Sequence, residues 1–105
     1  MARRIKEVTQ LTSKTTSVIA NAYDGIVTTV ALTDAADTGF DFTINNEKVR
    51  NVSSILLTVE YAGTTGTPIA RVVSYTKGSF VVRITNGGTA VLNAVAKLHF
   101  KITHE

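Results

Sequence analysis

Residues able to do chemistry are few in this chain, and they do not converge. The two histidines, His99 and His104, are separated by an odd offset. In a regular strand that puts them on opposite faces, so the pair cannot grip one metal ion there. Asp34, Asp37 and Asp41 are spaced by three and four residues. A calcium loop of the EF-hand kind needs acids at alternate positions, a central Gly and a closing Glu. That pattern is missing, and the three acids read as a polar loop. The serines are Ser13, Ser17, Ser53, Ser54, Ser74 and Ser79, and none sits in Gly-x-Ser-x-Gly. No glycine-rich stretch runs into Gly-Lys-Ser or Gly-Lys-Thr. The chain has no cysteine, which removes disulfides, thiol catalysis and thiolate metal sites. The expectation is a protein with no catalytic residues, no metal and no cofactor, which is not an enzyme.

What must carry these side chains is a set of strands. Over residues 94–103 the alternation is unbroken: Ala94, Ala96, Leu98, Phe100 and Ile102 share one face, and Val95, Lys97, His99, Lys101 and Thr103 the other. The same period places Phe40, Phe42 and Ile44 together, and likewise Phe80, Val82 and Ile84. It also groups Ile55, Leu57, Val59 and Tyr61 in a strand over 53–61. A short strand is expected at Val18, Ile19 and Ala20, and another over 26–32 with Ile26, Val30 and Leu32 inward. Tyr23-Asp24-Gly25, Lys77-Gly78 and Asn86-Gly87-Gly88 read as turns. In the strand over 69–75, Arg71 shares a side with Ile69, Val73 and Tyr75. Either that side is open to solvent or a bulge changes the register. Pro68 suits the first position of this strand. The last strand is expected from about Ala90, with some helix-forming character over 89–93. Strands every 8–12 residues without intervening helices predict an all-β fold, an antiparallel β-sandwich of seven to eight strands, jelly-roll or Ig-like.

Composition agrees with this class. Seventeen threonines, with many Val and Ile, stiffen χ1 in a way that suits pleated surfaces. No apolar run reaches the ~18 residues of a membrane-spanning helix, and the start reads as no signal peptide. The net charge of +3 is concentrated: residues 1–14 hold Arg3, Arg4, Lys6 and Lys14 against Glu7 alone. From residue 15 onward, seven basic residues face seven acidic ones. Two units are therefore expected, a basic N-terminal arm at 1–16 and a sandwich domain at 17–105. A chain beginning at Ser17 is expected to fold. Lys97 and Lys101, with His99 between them, form the one other basic stripe, read as protection of an exposed edge strand.

Several segments resemble a known family. Ser53-Ser54-Ile55-Leu56-Leu57-Thr58-Val59 is followed by Gly63-Thr64-Thr65-Gly66-Thr67-Pro68. Then come Gly78-Ser79-Phe80-Val81-Val82-Arg83-Ile84-Thr85-Asn86, Ala90-Val91-Leu92-Asn93 and Leu98-His99-Phe100-Lys101-Ile102. This order, over about residues 24–103, resembles the small β-domain virion structural proteins of tailed bacteriophages. The resemblance implies a capsid decoration (cement) protein or a tail-fibre-like domain. It implies a homo-oligomer, with a trimer favoured, bound to the major capsid protein or another virion protein. The expected location is the virion, after synthesis in a host cytoplasm, and no membrane is involved. A Met start without fibre repeats favours the head protein. Arg3, Arg4, Ile5 and Lys6 are the expected contact residues of the arm. The alternative is a receptor-binding, glycan-recognising module using Tyr23 or Tyr61 as an exposed platform. A nucleic-acid binder ranks third, because the folded body carries no net charge and most of its aromatic residues fall on inferred core faces.

Overall fold

The strongest alternations in the sequence become the central strands of two stacked sheets. The computed structural model describes residues 5–51 and 53–103. Among these residues there is no helix, and eight strands are present. They are β1 (Ile5–Thr9), β2 (Val18–Ile19), β3 (Asp24–Thr28), β4 (Gly39–Asn45), β5 (Ser54–Tyr61), β6 (Pro68–Thr76), β7 (Ser79–Asn86) and β8 (Ala96–Thr103). The first sheet has the order β1-β3-β8-β5, the second β2-β4-β7-β6. Their inner faces share one core. Phe80 on β7 and Phe100 on β8 meet edge-to-face across it, with ring centroids 5.6 Å apart. Burying a side chain of this size contributes about 1.5–3 kcal/mol. Ile44, Val82, Ile84, Leu98 and Ile102 fill the space around the two rings.

Each sheet contains one parallel pair, β1 with β3 and β2 with β4. The expectation of a purely antiparallel sandwich is corrected on this point. A parallel pair needs a long crossover between its strands. The chain supplies it by alternating sheets: β2 lies in the other sheet between β1 and β3, and β3 lies likewise between β2 and β4. The hairpin of β6 and β7 joins neighbours in sequence, and its turn places Gly78 at φ 92°. That is a left-handed conformation glycine adopts at little cost.

The expected arm is also corrected over its described part. Residues 5–9 form β1 on the edge of the first sheet, with Val8 packed against the core. Gln10 is buried; its amide nitrogen donates to the carbonyls of Lys14 and Thr16 at 3.0 and 2.9 Å. Its amide oxygen accepts the Val30 N–H at 3.3 Å. Residues 5–16 thus belong to the body. Alternation over 5–9 is weak because this strand is held chiefly by backbone pairing and hides little apolar surface.

Other boundaries shift for identifiable reasons. Tyr23-Asp24-Gly25 is the entry to β3, not a turn. Gly25 sits inside that strand because the Phe100 ring lies on it; a Cβ there would stand 2.3 Å from the ring. Val27 takes the buried position and Ile26 faces outward, reversing the expected face within β3, while Leu32, beyond the end of the strand, is buried as expected. Asn86-Gly87-Gly88 does not join β7 to β8 as a tight hairpin, because those strands lie in different sheets. Residues 89–95 are neither strand nor helix, and Leu92 within them is buried. In β6 both readings of Arg71 apply. Its side faces out, and a bulge between Val72 and Ser74 then brings Tyr75 opposite the buried Phe80. Pro68 opens β6 as expected.

The loops at one end converge on Asn86, which is fully buried. Its amide nitrogen donates to the carbonyls of Asp34 and Ala90 at 3.0 and 2.7 Å. Its amide oxygen accepts the N–H groups of Thr67 and Gly88 at 3.1 and 3.0 Å. Asn86→Ala would leave these four backbone groups without their partner. A loss of at least about 3 kcal/mol is expected, measured by denaturant unfolding. A second expectation concerns residues 1–16. Their removal deletes β1 and Gln10 and strips the buried Asp34 carboxylate of Lys14, its ion-pair partner at 2.8 Å. With the β1 pairing, the Gln10 hydrogen bonds and this half-exposed pair all lost, a chain starting at Ser17 should unfold at clearly lower denaturant than the intact one.

Candidate interaction surfaces

The side chains singled out in the sequence are held apart. Asp34 is buried and bound to Lys14, whose Nζ also stands 5.0 Å from the Phe40 ring centre. Asp34 is therefore a fixed element of the body and not a solvated loop acid. Asp37 is exposed in the left-handed region at φ 64°, which Asp tolerates. Asp41 points outward from β4 to Arg83 on β7. Among the described residues no three metal-ligating side chains come together. His99 lies on the outer face of the first sheet, its Nε2 3.0 Å from Glu60 Oε1; His104 lies outside the described residues.

The stripe of Lys97, His99 and Lys101 is not an edge. β8 is flanked by β3 and β5, so edge protection does not apply. Across the ladders Lys101 faces Asp24, and Lys97 faces Glu60. The stripe is thus interleaved with acids on neighbouring strands, an arrangement that period alone could not reveal. The proposed aromatic platforms are also engaged. Tyr23 is half-buried with Lys48 Nζ 5.3 Å above its ring. Tyr61 is half-buried on β5, with its hydroxyl 2.7 Å from the Thr65 carbonyl and accepting the Asn93 N–H.

Two surfaces remain as candidates. The first is at the N-terminal edge, where β1 and β2 border the open side of the sandwich. Val8, Gln10, Leu11, Thr16, Val18 and Ile19 help to line a groove of about 530 Å³ there. Leu11 is 87% and Ile19 65% exposed, and Ile5 further along β1 is 56% exposed. Lys6, next to Ile5 on β1, is exposed as well. Of the four expected contact residues, Ile5 and Lys6 therefore lie on this edge, and Arg3 and Arg4 lie outside the described residues.

The second surface is the outer face of the second sheet. Asp41, Arg83 and Arg71 follow one another across β4, β7 and β6 in register. Arg83 clasps Asp41 with Nε–Oδ1 at 2.7 Å and Nη2–Oδ2 at 3.0 Å. Two arginines directly opposite would repel, and the carboxylate next in the row offsets that. An open cleft of about 550 Å³ beside this row is lined by Asp37, Gly39, Phe40, Asp41, Arg83 and Thr85. The sequence showed Arg71 as a conflict but gave no sign of its neighbours, since Asp41 and Arg83 are far apart along the chain.

The Arg83 hydrogen bond holds the Asp41 carboxyl below its usual range; desolvation opposes this, and the charges of Arg83 and Arg71 reinforce it. The same pairing raises Arg83. A carboxyl lowered in the folded state favours folding above its unfolded pKa, and that contribution disappears as pH falls through the folded value. Arg83→Ala should shift the Asp41 titration up toward the ordinary carboxylate range. Carboxyl-carbon NMR titration measures this, and an unmoved Asp41 would mean the pair is not formed in solution.

No family model, curated protein or solved structure matches the chain.

Proposed function

We propose that this domain is a structural subunit of a particle, a virion decoration (cement) protein of the tailed-phage kind, of jelly-roll or Ig-like class. It binds the shell of a capsid and copies of itself and carries out no reaction. The observation that carries the reading is the N-terminal edge: exposed Leu11 and Ile19 on a shallow groove, with exposed Ile5 and Lys6 further along β1. Exposed apolar side chains along one margin suit a broad protein contact more than a small molecule. The family resemblance supplies the particle. Weak contacts of this size act together when many subunits sit on one symmetric shell. Residues 5–16 are built into the body, so the contact is a fixed edge, and the reach of a free arm plays no part over that stretch.

A second reading, a receptor-binding module, is favoured by one observation: the open cleft where Asp37, Asp41, Arg83 and Thr85 offer the mixed donors and acceptors that a glycan needs.

The test keeps the fold intact. The triple variant Arg3→Ala, Arg4→Ala, Lys6→Ala should unfold like the parent but bind undecorated tailed-phage shells at least about tenfold more weakly, a gap of about 1.4 kcal/mol. Binding of the parent should also weaken as salt rises. Unchanged shell binding by the variant would remove the basic segment from the mechanism. Binding to host cells with none to shells would select the receptor reading.

A further inference from the structure

Three of the four sheet edges are blunted, and one is not. Of the described edge strands, β2 is two residues long, and β1 is five with Lys6 and Glu7 side by side. On β6 the Thr67 carbonyl accepts the Gly87 N–H at 2.9 Å. The backbone of Pro68 therefore faces outward, where proline offers no N–H, and the bulge after Val72 breaks the line further. β5 has eight residues without proline, glycine or bulge, and Glu60 is its single charge.

The groups that β5 presents can be assigned. The Ile102 N–H donates to the Tyr23 carbonyl at 2.7 Å, and the Ala96 carbonyl accepts the Thr29 N–H at 2.8 Å. The even residues of β8 thus spend their backbone groups on the β3 side. The odd ones, Lys97, His99 and Lys101, bond to their partners Glu60, Thr58 and Leu56 on β5. The N–H and C=O groups of Ile55, Leu57 and Val59 therefore point away from the sheet. Among the described residues no hydrogen bond receives them. Their side chains turn to the core yet are only half-buried, and Leu56 on the outer face is 65% exposed.

We propose that β5 pairs with β5 of a second copy, antiparallel about a twofold axis at Leu57. This register sets Leu57 against its twin and Ile55 against Val59, and each pair closes two N–H···O bonds. All the outward groups of these three residues are satisfied at once. Charge selects the direction. Antiparallel pairing carries the two Glu60 side chains to opposite ends of the contact, whereas in-register parallel pairing would place them side by side. The product joins the first sheets of two copies into one continuous sheet and covers the half-open inner row. It deepens the reading of a self-associating subunit and is independent of which particle that subunit joins.

The test uses the full chain. Sedimentation across a dilution series should give twice the 11.2 kDa chain mass. Val59→Pro removes a donor that β8 does not use; it should keep the far-ultraviolet spectrum and sediment as a monomer. The chain has no native cysteine, so Leu57→Cys should form an intermolecular disulfide on mild oxidation. A hydrogen-bonded antiparallel pair holds its Cα atoms about 5.5 Å apart, within disulfide reach. Ile55→Cys, whose twin lies beyond reach, should not cross-link. A parent that is monomeric at every concentration, a trimeric mass, a Val59→Pro variant that still pairs, or equal cross-linking at 55 and 57 would each overturn the proposal. If Val59→Pro fails to fold, the two cysteine variants decide. A monomeric parent that still binds shells would sink this contact and leave the decoration reading standing.

Discussion

In a sandwich whose chain changes sheet at almost every connection, the ends are crowded with backbone that has left its ladder. Each N–H and C=O there needs a partner, and water is excluded from many of them. Asn86 meets this requirement with all four of its hydrogen-bonding positions, tying the segments at 34, 67, 88 and 90 to the last residue of β7. Asn46 works similarly, donating to the Ala22 carbonyl at 2.7 Å and accepting the Lys48 N–H at 2.9 Å. Gln10 does so for the N-terminal segment. The aromatic core draws the sheets together, but hydrophobic packing is non-directional. The buried carboxamides specify which loops meet and where.

This division of labour shapes the surface. Because the core and the amide-held ends fix the backbone, the outer faces are free to vary. The first sheet shows alternating charges across β3, β8 and β5, while the second shows the Asp41–Arg83–Arg71 row. The chief apolar exposure is gathered at margins, around β1 and β2 and along β5 and β6. A body of this kind offers its edges and margins as binding features, which suits a subunit that is added to something larger.

Strand content was largely legible in the residues. Phe40, Phe42, Ile44, Phe80, Val82, Ile84, Leu98, Phe100 and Ile102 all fall in the core, as their spacing required. Partnership was not legible. Period two says which face of a strand is buried but nothing about its neighbour, so β8 could pass for an edge and β7–β8 for a hairpin. Gly25 was misread because its reason lies in Phe100, distant along the chain. Asn86 was misread because an Asn-Gly pair signals a tight turn locally, and only the packed loops reveal it as an interior residue. The candidate surfaces were less legible still. Lys6 and Ile5 stood out by charge and position, but the groove that Leu11 and Ile19 share forms only where the segment after β1 meets β2.

The order of the first sheet has a consequence for folding. β3 supports β1 on one side and pairs on the other with β8, far along the sequence. Until β8 is in place the first sheet lacks a central member, and β3 and β5 each keep an open side. Pairing of this non-local kind must close a long loop before it gains contacts, which makes folding slow.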